Sequence, residues 1–189
     1  IALQETKAKP QQIPELAQPE GWHTAWFSAV KPGYSSVALL SRVRPDEVVE
    51  GLGDPVFDVE GRVLAMRFGT LVVISAYFPN SQDAGARIDY KIRFCDAILA
   101  ACDRIVASGK HVVVAGDYNI AHEAIDLANP DSNEGNPGYL PEERAWFDKW
   151  VNAGYADSFR CLCPEPGKYT WWTYRVKTAR EHNIGWRLD

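Results

Sequence analysis

Residues 62–68 and 71–78 are two runs of Val, Leu, Ile, Ala and aromatic side chains separated only by Gly69 and Thr70. Two β-forming runs with a two-residue spacer containing glycine give the strongest local constraint in the chain, a hairpin. Together with residues 37–43 they read as adjacent antiparallel strands. Further on, Ile88, Ile92, Cys95, Ile98, Leu99, Cys102 and Ile105 recur at helical intervals, closed by Ser108 and Gly109. That spacing predicts an amphipathic helix over 87–107, packed on the sheet. Residues 111–115, a Val/Ala run entering Gly116 and Asp117, read as a buried central strand ending in a loop with polar side chains. Residues 129–141 are loop by composition. Pro141, Glu142 and Glu143 then open a second helix carrying Ala145, Trp146, Phe147 and Trp150. Residues 169–174 read as an aromatic strand, and 186–188 as the start of another. Strands, helix, strand, helix and strands in that order predict an α/β sandwich whose mixed sheets are covered by helices.

The 189 residues suit one domain that buries roughly 70% of its unfolded surface. With 46% hydrophobic and 24% charged residues the chain is globular in composition, not disordered or fibrous. Twenty Lys and Arg against 25 Asp and Glu leave a net charge of −5, so attraction to a polyanion must be local. Residues 168–188 supply such a patch: Lys168, Arg175, Lys177, Arg180 and Arg187 against Glu181 alone, interleaved with Tyr169, Trp171, Trp172, Tyr174 and Trp186. Charges hold phosphates and rings hold nucleotides. The bland alternative is an apolar strand ringed by solvated charges.

Apolar runs such as 71–74 and 112–115 fall far short of the ~18 residues of a membrane span, and no basic-then-apolar leader opens the chain. A soluble protein without a membrane partner is expected. Cys95 and Cys102 fall on the helical stripe, and Cys161 and Cys163 have no second ligand pair nearby, so neither a disulfide scaffold nor a zinc site is expected and a reducing cytoplasm fits. Met66 is the one methionine and Asp189 follows no turn signal, which suggests a piece of a longer protein.

Three short segments place chemically able side chains at strand ends. Glu5 closes the apolar stretch Ala2-Leu3-Gln4, where a lone carboxylate is ordinarily a solvated surface group. In Gly116-Asp117-Tyr118-Asn119 an acid and an amide two apart in extended chain share a face. They could accept a proton from water and fix a phosphate oxygen, or simply satisfy backbone groups in an Asx turn. Tyr77 and Asn80 end the run Ala76-Tyr77-Phe78-Pro79-Asn80. Among the histidines, His23, His111 and His182 show no ligand pattern, and His122 either braces the loop behind Asn119 or meets substrate.

Taken in order, Leu-Gln-Glu-Thr-Lys, Tyr-Phe-Pro-Asn, Gly-Asp-Tyr-Asn-Ile-Ala, Pro-Glu-Glu-Arg and Gly-Trp-Arg-Leu-Asp resemble the exonuclease III family of abasic-site endonucleases, within the endonuclease/exonuclease/phosphatase superfamily. The resemblance runs from Ile1 to Asp189. It implies a DNase I-like, four-layer α/β sandwich of two mixed sheets packed face to face and flanked by helices, a single domain over 1–189 lacking its first and last strands. It implies hydrolysis of the phosphodiester 5′ to an abasic site, with 3′→5′ exonuclease or 3′-phosphatase activity. Glu5 matches the metal ligand of such enzymes, with Mg²⁺ as cofactor and Mn²⁺ as an alternative. Asp117 matches the general base, Asn119 the amide that stabilises the transition state, Tyr77 the phenol at the scissile phosphate and Asn80 a phosphate contact.

Asp189 matches the acid that orients a catalytic histidine, which in the family sits in a Ser-Asp-His motif beyond this chain. Trp171, Trp186 and Leu188 match the walls of a pocket for the flipped-out, baseless sugar. Arg87, Lys91 and Arg93 at the start of the long helix could touch the DNA backbone, although exposed charges on a helix face usually touch only water, and Arg175 belongs to the basic patch. The implied partner is double-stranded DNA with abasic sites or 3′ blocks, met by a monomer in the cytoplasm, at the nucleoid in a prokaryote. A nucleic-acid-binding regulator of the same fold without chemistry is one alternative, yet Glu5, Tyr77, Asp117 and Asn119 all stand. A phosphodiesterase acting on phosphoinositides or undamaged DNA is the other, which Pro-Glu-Glu-Arg and Gly-Trp-Arg-Leu-Asp fit poorly.

Overall fold

Ala2–Gln4 (β1), His23–Phe27 (β2) and Val37–Ser41 (β3) form an antiparallel sheet in the order β1-β3-β2. Glu47–Glu50 (β4), Val63–Phe68 (β5), Leu71–Tyr77 (β6) and His111–Asp117 (β7) form a second, mixed sheet in sequence order. In the second sheet the Gly69-Thr70 turn brings Phe68 opposite Leu71, so the hairpin stands as the sequence predicts. β6 and β7 run parallel, which requires a long crossover. That crossover is the helix Ile88–Ala107, which follows the short helices Pro14–Ala17 (α1) and Pro55–Asp58 (α2) and is labelled α3.

Alternation within β5 does two jobs. Leu64 and Met66 point to one face and pack with Val37 and Leu39 of β3 in a core between the two sheets. Val63 and Ala65 point to the other, where Val72 and Ile74 of β6 and Ala101 and Ile105 of α3 line the same cleft. A strand buried on both faces must be apolar at nearly every position, as β5 and β6 are. Sheet, sheet and helix are therefore stacked as three of the layers of the expected sandwich, the first sheet antiparallel and the second mixed.

Residues 1–78 and 96–117 make one compact unit, and residues 79–95 and 118–189 another; the structure, a computed structural model, describes all 189 residues. The second unit holds Pro130–Asn133 (α4), Pro141–Asn152 (α5), Ser158–Leu162 (α6) and a two-residue ladder of Trp171–Trp172 (β8) with Gly185–Trp186 (β9). Trp146, Phe147 and Trp150 are buried on one face of α5. No helix is long and apolar enough to cross a membrane.

Several expectations change. Residues 37–41 pair with β1 and β2, not with the hairpin. β7 lies at the end of its sheet, not in the centre, and Val113 is half exposed. The span 129–141 contains α4, and the aromatic strand expected over 169–174 shrinks to Trp171–Trp172 because only two residues find partners across the ladder.

Candidate functional site

The first unit gathers three of the candidate residues. Gln4 Nε2 donates to Ser75 Oγ at 2.9 Å, and Ser75 Oγ donates to Leu3 O at 3.1 Å, which ties the end of β1 to β6 across the sheet interface. Glu5 therefore emerges beside Tyr77, the last residue of β6. Tyr77 lies directly across the parallel ladder from Asp117, the last residue of β7. This register depends on Gly116, where a Cβ would stand 1.8 Å from Ala76 O, so only glycine lets the two strands approach here.

The Glu5 carboxylate, like that of Asp117, is near enough to the Tyr77 hydroxyl to disfavour its ionisation. The Tyr77 pKa is raised well above the ordinary phenol value, chiefly by burial, then by the Glu5 and Asp117 charges, while Arg62 works the other way. Carboxylates far apart in sequence thus act on one phenol, which stays protonated and able to donate. Arg62, which the sequence reading missed, holds that phenol in place. Its buried guanidinium donates to Tyr77 O at 2.9 Å and Tyr34 Oη at 3.0 Å, pairs with Glu60 at 2.6 Å, and lies 4.9 Å from the centre of the Tyr77 ring. A basic residue immediately before an apolar strand was the only signal available.

Glu5 is about half exposed, with Lys7 Nζ 2.9 Å from its carboxylate. Its loop is clamped by Thr6 N and Lys7 N donating to Ser36 O and Ser35 O. Glu5, Lys7, Ser35 and Ser36 all have positive φ, a concentration of left-handed non-glycine backbone that marks a conformation imposed by its surroundings. An accessible carboxylate such as that of Glu5 is a hard oxygen donor, which fits a divalent cation.

The second unit holds the remaining candidates. Asn80 Nδ2 donates to Asn119 Oδ1 at 3.2 Å, and Asn119 adopts φ +52°. Trp171 faces Trp186 across the β8–β9 ladder, and Trp186 and Leu188 pack against Ala121, Leu127 and Tyr139, with the Tyr139 and Trp186 rings edge to face at 6.5 Å. The three expected pocket residues are thus on one short sheet and its extension, with Trp171 the most exposed of them. The Asp189 backbone N–H donates to Thr170 Oγ1 at 3.2 Å. Arg175 is exposed; Arg87 lies over the Tyr90 ring at 4.3 Å.

Two basic residues do not do what the sequence suggested. Lys91 is completely buried and cannot touch DNA. Arg187 is buried too, held in a two-pronged pair with Asp157 at 2.7 and 2.9 Å, so the exposed charge of the basic patch is Lys168, Arg175, Lys177 and Arg180. His122 is a brace: Nε2 meets Asp148 Oδ1 at 2.8 Å and the ring stacks on Phe147 at 4.6 Å. With Glu123 and Asp148 it brings three metal-binding types of ligand atom within 4.8 Å of one another.

The family model described as "Endonuclease/Exonuclease/phosphatase family" matches residues 1–189. The chain belongs to that family. It is 42% identical over 190 residues to an exodeoxyribonuclease of Bacillus subtilis, covering all of this chain and 74% of the relative. It is 40% identical over 193 residues to the zebrafish (Danio rerio) DNA repair nuclease APEX1, again along its whole length but over only 62% of that protein. Among solved structures, an AP endonuclease from Archaeoglobus fulgidus superposes with a TM-score of 0.86 at 28% identity, covering all of this chain and 73% of that one.

Proposed function

We propose that this chain is the greater part of a metal-dependent DNA repair enzyme that hydrolyses the phosphodiester 5′ to an abasic site, leaving a 3′-hydroxyl, with accompanying 3′→5′ exonuclease or 3′-phosphatase activity. One observation carries the reading. Tyr77 and Asp117 end the paired strands β6 and β7, and Glu5 follows directly on the end of β1 that Gln4 and Leu3 tie to Ser75 of β6, so three residues far apart in sequence meet at one set of strand ends.

In this reading Asp117 accepts the proton of the attacking water and Tyr77, kept neutral, donates to a phosphate oxygen. The Asn119 amide, with Asn80 bonded to it, hydrogen-bonds the oxygens on which charge grows in the transition state. Glu5 would hold the divalent cation, Mg²⁺ in the first instance. When bound, such a cation neutralises phosphate charge and steadies the leaving oxygen. Trp171, Trp186 and Leu188 offer apolar walls to a sugar without its base, and the exposed cations of residues 168–180 with Arg87 track the backbone of the duplex. Asp189 serves to orient a catalytic histidine.

The test is a gel assay of the full-length protein on a duplex with one central tetrahydrofuran analogue of an abasic site. The expected result is a single cut on the 5′ side of the analogue with Mg²⁺ and none with EDTA. Equal cutting with EDTA, or cutting without regard to the analogue, would overturn the proposal.

A further inference from the structure

Lys91 and Glu143 each stand on the apolar stripe of their helix. Lys91 keeps helical spacing with the buried Cys95 and Ile98 on α3, and Glu143 with the buried Trp146, Phe147 and Trp150 on α5. Both side chains are 0% exposed, and Lys91 Nζ lies 2.6 Å from Glu143 Oε1. A buried ion pair is weak evidence of stability, because well-packed apolar side chains of similar volume often serve as well. Apolar side chains cannot, however, supply what this pair supplies to the chain around it.

Lys91 Nζ also donates to Asn119 O at 2.7 Å. Glu143 Oε1 additionally accepts from Ser81 Oγ at 2.6 Å, and Oε2 accepts from Leu140 N at 2.9 Å at the start of α5. One carboxylate thereby ties the segment just after Asn80 and the helix start to the ammonium that grips Asn119. The grip falls on a residue whose φ of +52° is left-handed, a conformation that Asn tolerates but that needs fixing by its surroundings. The space around that carbonyl is also closed by backbone, since a Cβ on Gly138 would stand 3.3 Å from Asn119 O.

We infer that the Lys91–Glu143 pair is a positioning device for Asn119. Lys91 holds the Asn119 carbonyl, Glu143 holds Lys91 and the Ser81 hydroxyl, and the Asn119 amide is thereby kept at a fixed height and angle beside Asn80. The inference rests on the role proposed above for Asn119. Neither Lys91 nor Glu143 touches substrate.

The experiment is single-turnover cleavage of the tetrahydrofuran duplex by the full-length protein, alongside duplex binding measured in EDTA. Lys91→Met alone leaves Glu143 buried without its cation and is expected to lower the melting temperature sharply. Lys91→Met/Glu143→Gln removes both charges, keeps an acceptor for Ser81 and is the deciding variant. Its melting temperature is expected to recover from that of Lys91→Met, while its cleavage rate stays down about 10²-fold, as a misplaced transition-state group requires. Duplex affinity should stay within about threefold of wild type, since the losses fall on the chemical step. Adding Asn119→Ala to that background should cost far less than Asn119→Ala costs in the wild type, because both changes act through one amide. A wild-type rate for the double variant, or fully additive losses in the cycle, would overturn the inference. A wild-type rate for Asn119→Ala alone would instead overturn the role assigned to Asn119, so the two failures are told apart.

Discussion

At the level of single residues, the structure separates side chains that look alike in the sequence. Arg175 and Arg187 both belong to the basic stretch, but one is exposed and the other is buried against Asp157. Arg175→Ala should therefore reduce the slope of log affinity for DNA against log salt by about 1 and leave the melting temperature nearly unchanged. Arg187→Ala should do the reverse, lowering stability by roughly 3–5 kcal/mol because Asp157 loses its partner. Parallel salt titrations and thermal melts distinguish them, and identical behaviour of the two variants would refute the assignment.

Tyr77 makes a pH prediction. Its folded pKa is raised above the ordinary phenol value of about 10. The native state then keeps a proton that the unfolded chain releases, so the contribution of this hydroxyl is fully present below about pH 10 and falls away above it. Urea unfolding of wild type and Tyr77→Phe should give a constant stability difference between about pH 7 and 9, then a relative loss for the wild type as the pH rises past about 10. A difference that stays flat through the alkaline range would contradict the burial and charge environment described.

Among the elements, those with one clear period were legible in the sequence. The β5–β6 hairpin follows from a two-residue glycine turn between apolar runs, and α3 from an apolar stripe that begins and ends within a residue of the expected bounds. β4 was not legible because all four of its residues are exposed, so Glu47-Val48-Val49-Glu50 has no buried face to generate alternation. β2 hides for a related reason: no residue of His23–Phe27 is fully buried. Of the candidate site, Glu5, Tyr77 and Asp117 were visible as strand ends. Arg62 was not, and Lys91 and Glu143 were read only as a surface cation and a helix-opening acid, although a charged residue on each apolar stripe of two helices is a readable sign of a buried pair. The parallel β6–β7 ladder supplies the prediction at this scale. Gly116→Ala drives a methyl into Ala76 O and should lower stability by roughly 1–3 kcal/mol, about 2–4 °C in melting temperature for each kcal/mol. Tyr77 and Asp117 lose their register with it, so activity should fall further than stability does, and a variant with wild-type melting and activity would refute the close approach.

For the whole molecule, a net charge of −5 with exposed cations clustered between Lys168 and Arg180 leaves, under the proposed function, only a restricted surface on which to meet DNA. Affinity for any duplex should fall steeply with salt, each phosphate contact contributing about 0.9 to the slope. In the proposed function, selection of the missing base falls to different side chains, the aromatic ones. Trp186→Ala should harm cleavage at an abasic site more than exonuclease trimming, and equal losses would argue against an aromatic sugar pocket. The central claim is that carboxylates brought together at the strand ends perform hydrolysis. Its most direct test is Asp117→Asn in the full-length protein, assayed for turnover and for binding on the same tetrahydrofuran duplex. The account predicts turnover reduced about 10²- to 10⁴-fold with affinity largely retained; turnover close to wild type would contradict it.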